Sequence, residues 1–114
     1  MAISSDELRG HTDTMILARL AEGDSYGYDI NKEIRRLSGG AYELKEATLY
    51  TAFRRMEADR LITSYWGDSE EGARRRYYRI TDRGREALAE RLKSWRETKD
   101  ILDRLFSKGC DEDA

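Results

Sequence analysis

Apolar residues recur at helical spacing in three stretches before residue 60. Leu8, Met15, Ile16, Ala18 and Leu20 give one face to a helix over about 5–21, although Gly10 and Thr12 weaken its first turns. Glu22-Gly23-Asp24-Ser25 reads as a stop and restart, with the glycine ending one helix and Asp or Ser capping the next. A second helix follows over 26–37, with Ile30, Ile34 and Leu37 in step, and Ser38-Gly39-Gly40 closes it. Ala41 to Leu44 alternates as a short strand does. A third helix then covers 45–59, with Leu49, Ala52, Phe53 and Met56 inside and Thr48, Tyr50, Thr51, Arg54 and Arg55 opposite.

The period then changes. Leu61–Trp66 and Arg74–Ile80 are rich in β-formers, and the intervening GDSEEGA has turn chemistry, so a hairpin is predicted. Thr81 or Asp82 can cap a last helix reaching about Phe106. Along it Leu88, Leu92, Trp95, Leu102 and Phe106 form a coiled-coil-like seam, interrupted by Lys99. This order predicts a mainly α fold with a small β hairpin (α+β). It divides into a winged helix-turn-helix over 5–82, a C-terminal dimerisation helix over 83–106 and a flexible tail over 107–114.

Composition narrows the function classes. The chain has 114 residues, enough for one domain, with 39% hydrophobic and 39% charged residues. So thin a core favours burial against a second copy. No stretch approaches the roughly 20 apolar residues of a membrane helix, and the first residues lack the basic and apolar regions of a signal peptide. The lone Cys110 cannot form an internal disulfide, which fits a cytoplasmic protein. The single histidine, His11, has no nucleophile or paired ligand at useful spacing, and no glycine-rich phosphate cradle occurs. No enzyme, no cofactor and no metal site are expected.

A net charge of −2 argues against a nucleic-acid binder, but its distribution reverses the argument. Residues 74–79 read RRRYYR without an acid, and Lys45, Arg54, Arg55 and Arg60 add to this basic stripe. The expected DNA contacts are Lys45, Thr48, Tyr50, Thr51 and Arg54 on the third helix, the reading element of a helix-turn-helix. Arg74, Arg75 and Arg76 on the hairpin wing join them. Strand alternation puts Arg74 and Arg76 on one face and Arg75 on the other, and splits Tyr77 from Tyr78 between core and solvent. The alternative is a winged-helix protein-interaction module that does not touch DNA. Trp95 is awkward in mid-seam: paired rings across a gap could sandwich a planar ligand.

The segments YGYDI (26–30), LKEATLYTAFRRMEADRLI (44–62), SYWGD (64–68) and GARRRYYRIT (72–81) resemble the PadR family of bacterial transcription regulators, over roughly residues 8–106. The single C-terminal helix is similar to the smaller PadR subfamily, and there to its multidrug-binding repressors. The resemblance implies a homodimer on a roughly palindromic operator of double-stranded DNA, controlling its own gene and a neighbouring transporter. It implies that Lys45, Thr48 and Tyr50 lie at the DNA-facing start of the recognition helix. It also implies a pore at the dimer centre where Trp95 stacks on flat aromatic molecules, with Leu8, Thr14, Ala18, Leu88, Leu92 and Lys99 around it. Two residues depart from the pattern. Lys99 stands where an acidic group favours cations, so neutral or anionic aromatics are expected. Arg60 replaces the usual glycine at the end of the recognition helix, which costs about 1 kcal/mol if φ is positive there.

Overall fold

The computed structural model describes residues 8–68 and 72–111, apart from the side chains of Arg9 and of 108–111. A short 3-10 turn, Arg9–His11, leads into α1 (Thr12–Ala21). The expected start of this helix at residue 5 lies outside the described residues. Strand β1 (Ser25–Tyr26) precedes α2 (Gly27–Leu37), and α3 (Glu46–Ala58) follows. The hairpin strands are β2 (Ile62–Asp68) and β3 (Arg74–Ile80), and α4 runs Asp82–Asp111. Four helices and a three-stranded sheet, among the described residues, make the predicted α+β winged helix with a long C-terminal helix.

The core forms where the helices meet the sheet. Ile16, Leu17 and Leu20 of α1, Ile30 and Ile34 of α2, and Leu49, Ala52, Phe53 and Met56 of α3 are all buried together. The Phe53 ring stacks on Tyr78 of β3 at 3.9 Å between centroids, so the reading helix is pinned to the wing by aromatic contact. Tyr77 turns the other way and is only half-buried, as strand alternation requires.

Three local expectations need correction. The strand read at 41–44 is absent, because no neighbouring strand pairs with that stretch: the Asn31 side chain takes up both backbone groups of Leu44. The third strand is instead Ser25–Tyr26, antiparallel to Tyr77–Tyr78 in the order β1-β3-β2. The Tyr26 ring meets Tyr77 edge-on at 5.5 Å, which docks this segment on the sheet. Neither Asp24 nor Ser25 caps α2. Tyr26 takes the N-cap position, and the Ser25 hydroxyl donates to Asp29 at 3.1 Å.

The last helix continues five residues past Phe106, so 107–111 are helical rather than tail; residues 112–114 lie outside the described residues. Ser107 and Lys108 do not stop a helix, and Gly109 alone costs only about 1 kcal/mol. Its start is capped as expected: the Gly84 N–H donates to the Thr81 hydroxyl at 2.9 Å.

At the other end of the reading helix Arg60 has φ 63°. The Leu61 N–H reaches back to the Met56 carbonyl at 2.9 Å and the Arg60 N–H to the Glu57 carbonyl at 3.0 Å, a Schellman close. Arginine therefore occupies a left-handed position that glycine would fill without a Cβ penalty of about 1 kcal/mol.

Candidate nucleic-acid interface

Two helices and the hairpin build this surface. The turn between α2 and α3 is set by Asn31, whose amide donates to the Leu44 carbonyl and accepts from the Leu44 N–H, both at 2.7 Å. Leu44 is 3% exposed, so these backbone groups have no access to water and depend on this side chain. Lys45, extended at φ −67° and ψ 143°, then opens α3. Asn31 was not among the predicted site residues. A polar residue on a helix facing a loop leaves no periodic trace.

All five predicted contacts on α3 are exposed, but they do not share one line. At about 100° per residue, Ala47, Thr51 and Arg54 hold the centre of the outward face. Thr48 and Arg55 lie on the flank towards α1 and α4. Tyr50 lies on the opposite flank, with its ring edge-on to Phe53 at 5.5 Å. Its hydroxyl presses on Gly27: a Cβ added there would sit 2.7 Å from the phenolic oxygen. Tyr50 and Gly27 are thus one packing unit that seats α3 against α2. Arg54 leans on the Thr51 hydroxyl at 3.3 Å, which keeps its guanidinium on the outward face.

On the wing the three arginines have different occupations. Arg76 donates to the Ser64 hydroxyl at 2.9 Å and pairs with Glu57 of α3 at 3.3 Å, while Ser64 donates to the same carboxylate at 2.7 Å. This network holds wing to helix, so Arg76 is a brace rather than an open cation. Arg74 shares its face and lies over the exposed Trp66 ring at 5.6 Å, further along the hairpin. Arg75 is on the other face, over Tyr26 at 4.4 Å. Gly67 permits this sheet face to pack, since a Cβ there would sit 2.8 Å from the Tyr77 ring.

The root of the sheet is tied to the turn after α1. Asp24 accepts from the Tyr65 hydroxyl at 2.6 Å and from the Arg79 guanidinium at 2.8 and 3.0 Å. The Arg79 hydrogen bond holds the Asp24 carboxyl below its ordinary range, outweighing a partial loss of water, and the Tyr65 hydroxyl adds to it. The same contact pushes the Tyr65 phenol up.

A second candidate site lies on the far side. An open groove of about 610 Å³ is lined by Leu8, Thr14, Ala18, Leu92 and Trp95, all expected pore residues. Two others are elsewhere. Leu88 is buried in the domain core, because it falls a turn earlier where α4 still packs on the winged domain. Lys99 does not line the groove; it pairs with Asp103 at 2.8 Å along its own helix. His11, Arg19 and Tyr42 line the groove without having been predicted. His11 meets Trp95 edge-on at 5.4 Å.

No cluster of metal-binding side chains occurs among the described residues, and no helix there is long and apolar enough to cross a membrane. A protein of Lysinibacillus sphaericus is 44% identical over 109 residues, covering 96% of this chain and 99% of the relative. The solved structure of a transcriptional regulator from Clostridium thermocellum is 47% identical, with a TM-score of 0.82 over 90% of this chain and 97% of that one. A PadR family transcription regulator from Clostridium difficile is 36% identical, with a TM-score of 0.76 over 85% and 99% of the two chains. The profile of the transcriptional regulator PadR-like family matches residues 16–90, which take in the reading helix, the wing and the start of α4. The chain belongs to the PadR-like family of transcriptional regulators.

Proposed function

We propose that the chain represses transcription as a homodimer seated on a roughly palindromic operator, and that a planar aromatic molecule enters between the two copies. One observation carries the reading. Beyond Leu92 every described side chain of α4 is exposed, yet the helix presents Trp95, Leu102, Leu105 and Phe106, the last 66% exposed. An apolar stripe on a projecting helix requires a cover, and a second copy supplies a matching stripe. Two reading heads then stand about one DNA turn apart, roughly 34 Å, with α3 in successive major grooves and the wing on the backbone.

Fluorescence anisotropy tests this on a labelled duplex from the region upstream of the gene, with a scrambled duplex as control, at about 150 mM salt. The expected result is preference for the native duplex by two chains per site. Arg54→Ala should then weaken binding about tenfold and lower the salt slope by about 1. Equal, weak binding to every duplex, unchanged by Arg54→Ala, would favour the interaction module instead.

The groove supports the ligand half of the proposal. Trp95 is 44% exposed, and a twofold axis through this face turns an open groove into an enclosed slot between two indoles. Arg19 lines it and no acid does among the described residues, so neutral or anionic aromatics suit it better than cations. A ligand there relieves repression to the extent that it prefers the head spacing that does not fit DNA. In a Trp66→Phe background, planar aromatic anions should quench the remaining Trp95 emission saturably. Unchanged emission across neutral and anionic compounds would sink the slot.

A further inference from the structure

Along its length the reading helix packs on α1 and β2 rather than on α4, and the start of the long helix meets it just past its C-terminal end, where the Thr81 hydroxyl donates to the Arg60 carbonyl at 2.7 Å. One side chain links the two helices away from that joint. Asp13, in the first turn of α1 and with its side chain only 12% exposed, pairs through one oxygen with Arg55 of α3 and through the other with Arg91 of α4, the latter at 3.7 Å. All three line a groove of about 430 Å³ together with Thr48 and Thr51 of the reading face. Arg55 and Arg91 both lie on flanks that the core does not use.

We infer that Asp13 is a positioning residue for operator recognition: its carboxylate bridges Arg55 and Arg91 and so sets the angle of the reading helix against the long helix. The inference rests on the DNA-binding reading above. A carboxylate beside a polyanion is otherwise unfavourable, since it repels phosphate and neutralises a guanidinium that could bind it. Here it converts two long, mobile side chains into a brace. Arg55 is then held off the phosphates, and the reading face stays in the register that the base contacts need. Movement of α4 reaches the flank of α3 through this carboxylate, beside the joint at Thr81.

The charge arithmetic separates this role from a merely structural one. Asp13→Asn keeps the shape and frees two guanidiniums. Binding to a scrambled duplex should therefore tighten, with a salt slope steeper by about 1, while the preference for the operator falls about tenfold. Asp13→Glu should recover part of the preference. Arg91→Gln, on a residue outside the reading face, should lose preference similarly without tightening scrambled binding, and keeps the test open if Asp13→Asn lowers the melting temperature. A structural role alone weakens both duplexes in step. That outcome, or a preference within twofold of the parent in both Asp13→Asn and Arg91→Gln, overturns the inference. The parent protein is the control: failure to discriminate between duplexes at all overturns the DNA-binding reading, and the brace with it.

Discussion

Replacing Gly84 by alanine is expected to lower the stability of the fold by about 3 kcal/mol, through an overpacked contact that cannot relax locally. A Cβ at this position would sit 2.1 Å from the Leu61 carbonyl oxygen and 2.7 Å from the Ile80 side chain. The obstacle is backbone, so no rotamer change relieves it. That carbonyl also accepts the Thr81 N–H at 3.0 Å, and the Thr81 hydroxyl lies 2.7 Å from the Arg60 carbonyl and 3.0 Å from that of Leu61. The start of α4, the end of the reading helix and the root of β2 thus share one joint, with Gly84 at its closest approach. Making room for one methyl group separates the joint and strips Thr81 of its partners, each worth about 1 kcal/mol. Urea unfolding at fixed protein concentration should show the lower midpoint with little change in slope. A midpoint within the error of the parent would mean that α4 can slide without cost, and that the joint does not hold the wing.

Asn31→Ala is expected to cost about 2–4 kcal/mol, because it leaves a buried N–H and a buried C=O of Leu44 unsatisfied at once. Operator affinity should fall further than the stability change accounts for, since the released turn is the one that delivers Lys45 and the first residues of α3. Asn31→Asp separates the two bonds. It keeps an acceptor for the Leu44 N–H but sets a second oxygen against the Leu44 carbonyl, so it should be no better than alanine. Amide exchange at Leu44 reports the local loss directly. Protection at Leu44 unchanged in Asn31→Ala would show that the turn is held by the packing of its leucine instead.

Both positions show where sequence reading ends. The three helices of the winged domain were legible because their apolar faces repeat at the helical period over three or more turns, and the hairpin because β-formers flank turn residues. Ser25–Tyr26 was not legible: two residues have no period, and only the docking of Tyr26 on Tyr77 makes them a strand. The alternation at 41–44 was real but had no partner, since a side chain rather than a strand takes up its hydrogen bonds. Gly27, Gly67 and Gly84 read as unremarkable glycines until a tyrosine hydroxyl, a tyrosine ring and a carbonyl were found against them. Of the residues expected around a pore, Leu8, Thr14, Ala18, Leu92 and Trp95 line one groove, and Leu88 and Lys99 do not. Helical spacing places residues on a face but not at a depth along it.

The sequence by itself determined the order of the helices and the hairpin, the apolar faces, the family and the clustering of arginines in one strand, because these depend on period and local chemistry. Only the tertiary structure decided what each charge does. Coulombic pairing depends on distances between residues far apart in the chain, and those distances exist only once the chain has folded. That is why Arg76 is bound to Glu57 and Arg79 to Asp24, while Asp13 draws together two arginines that no spacing rule connects.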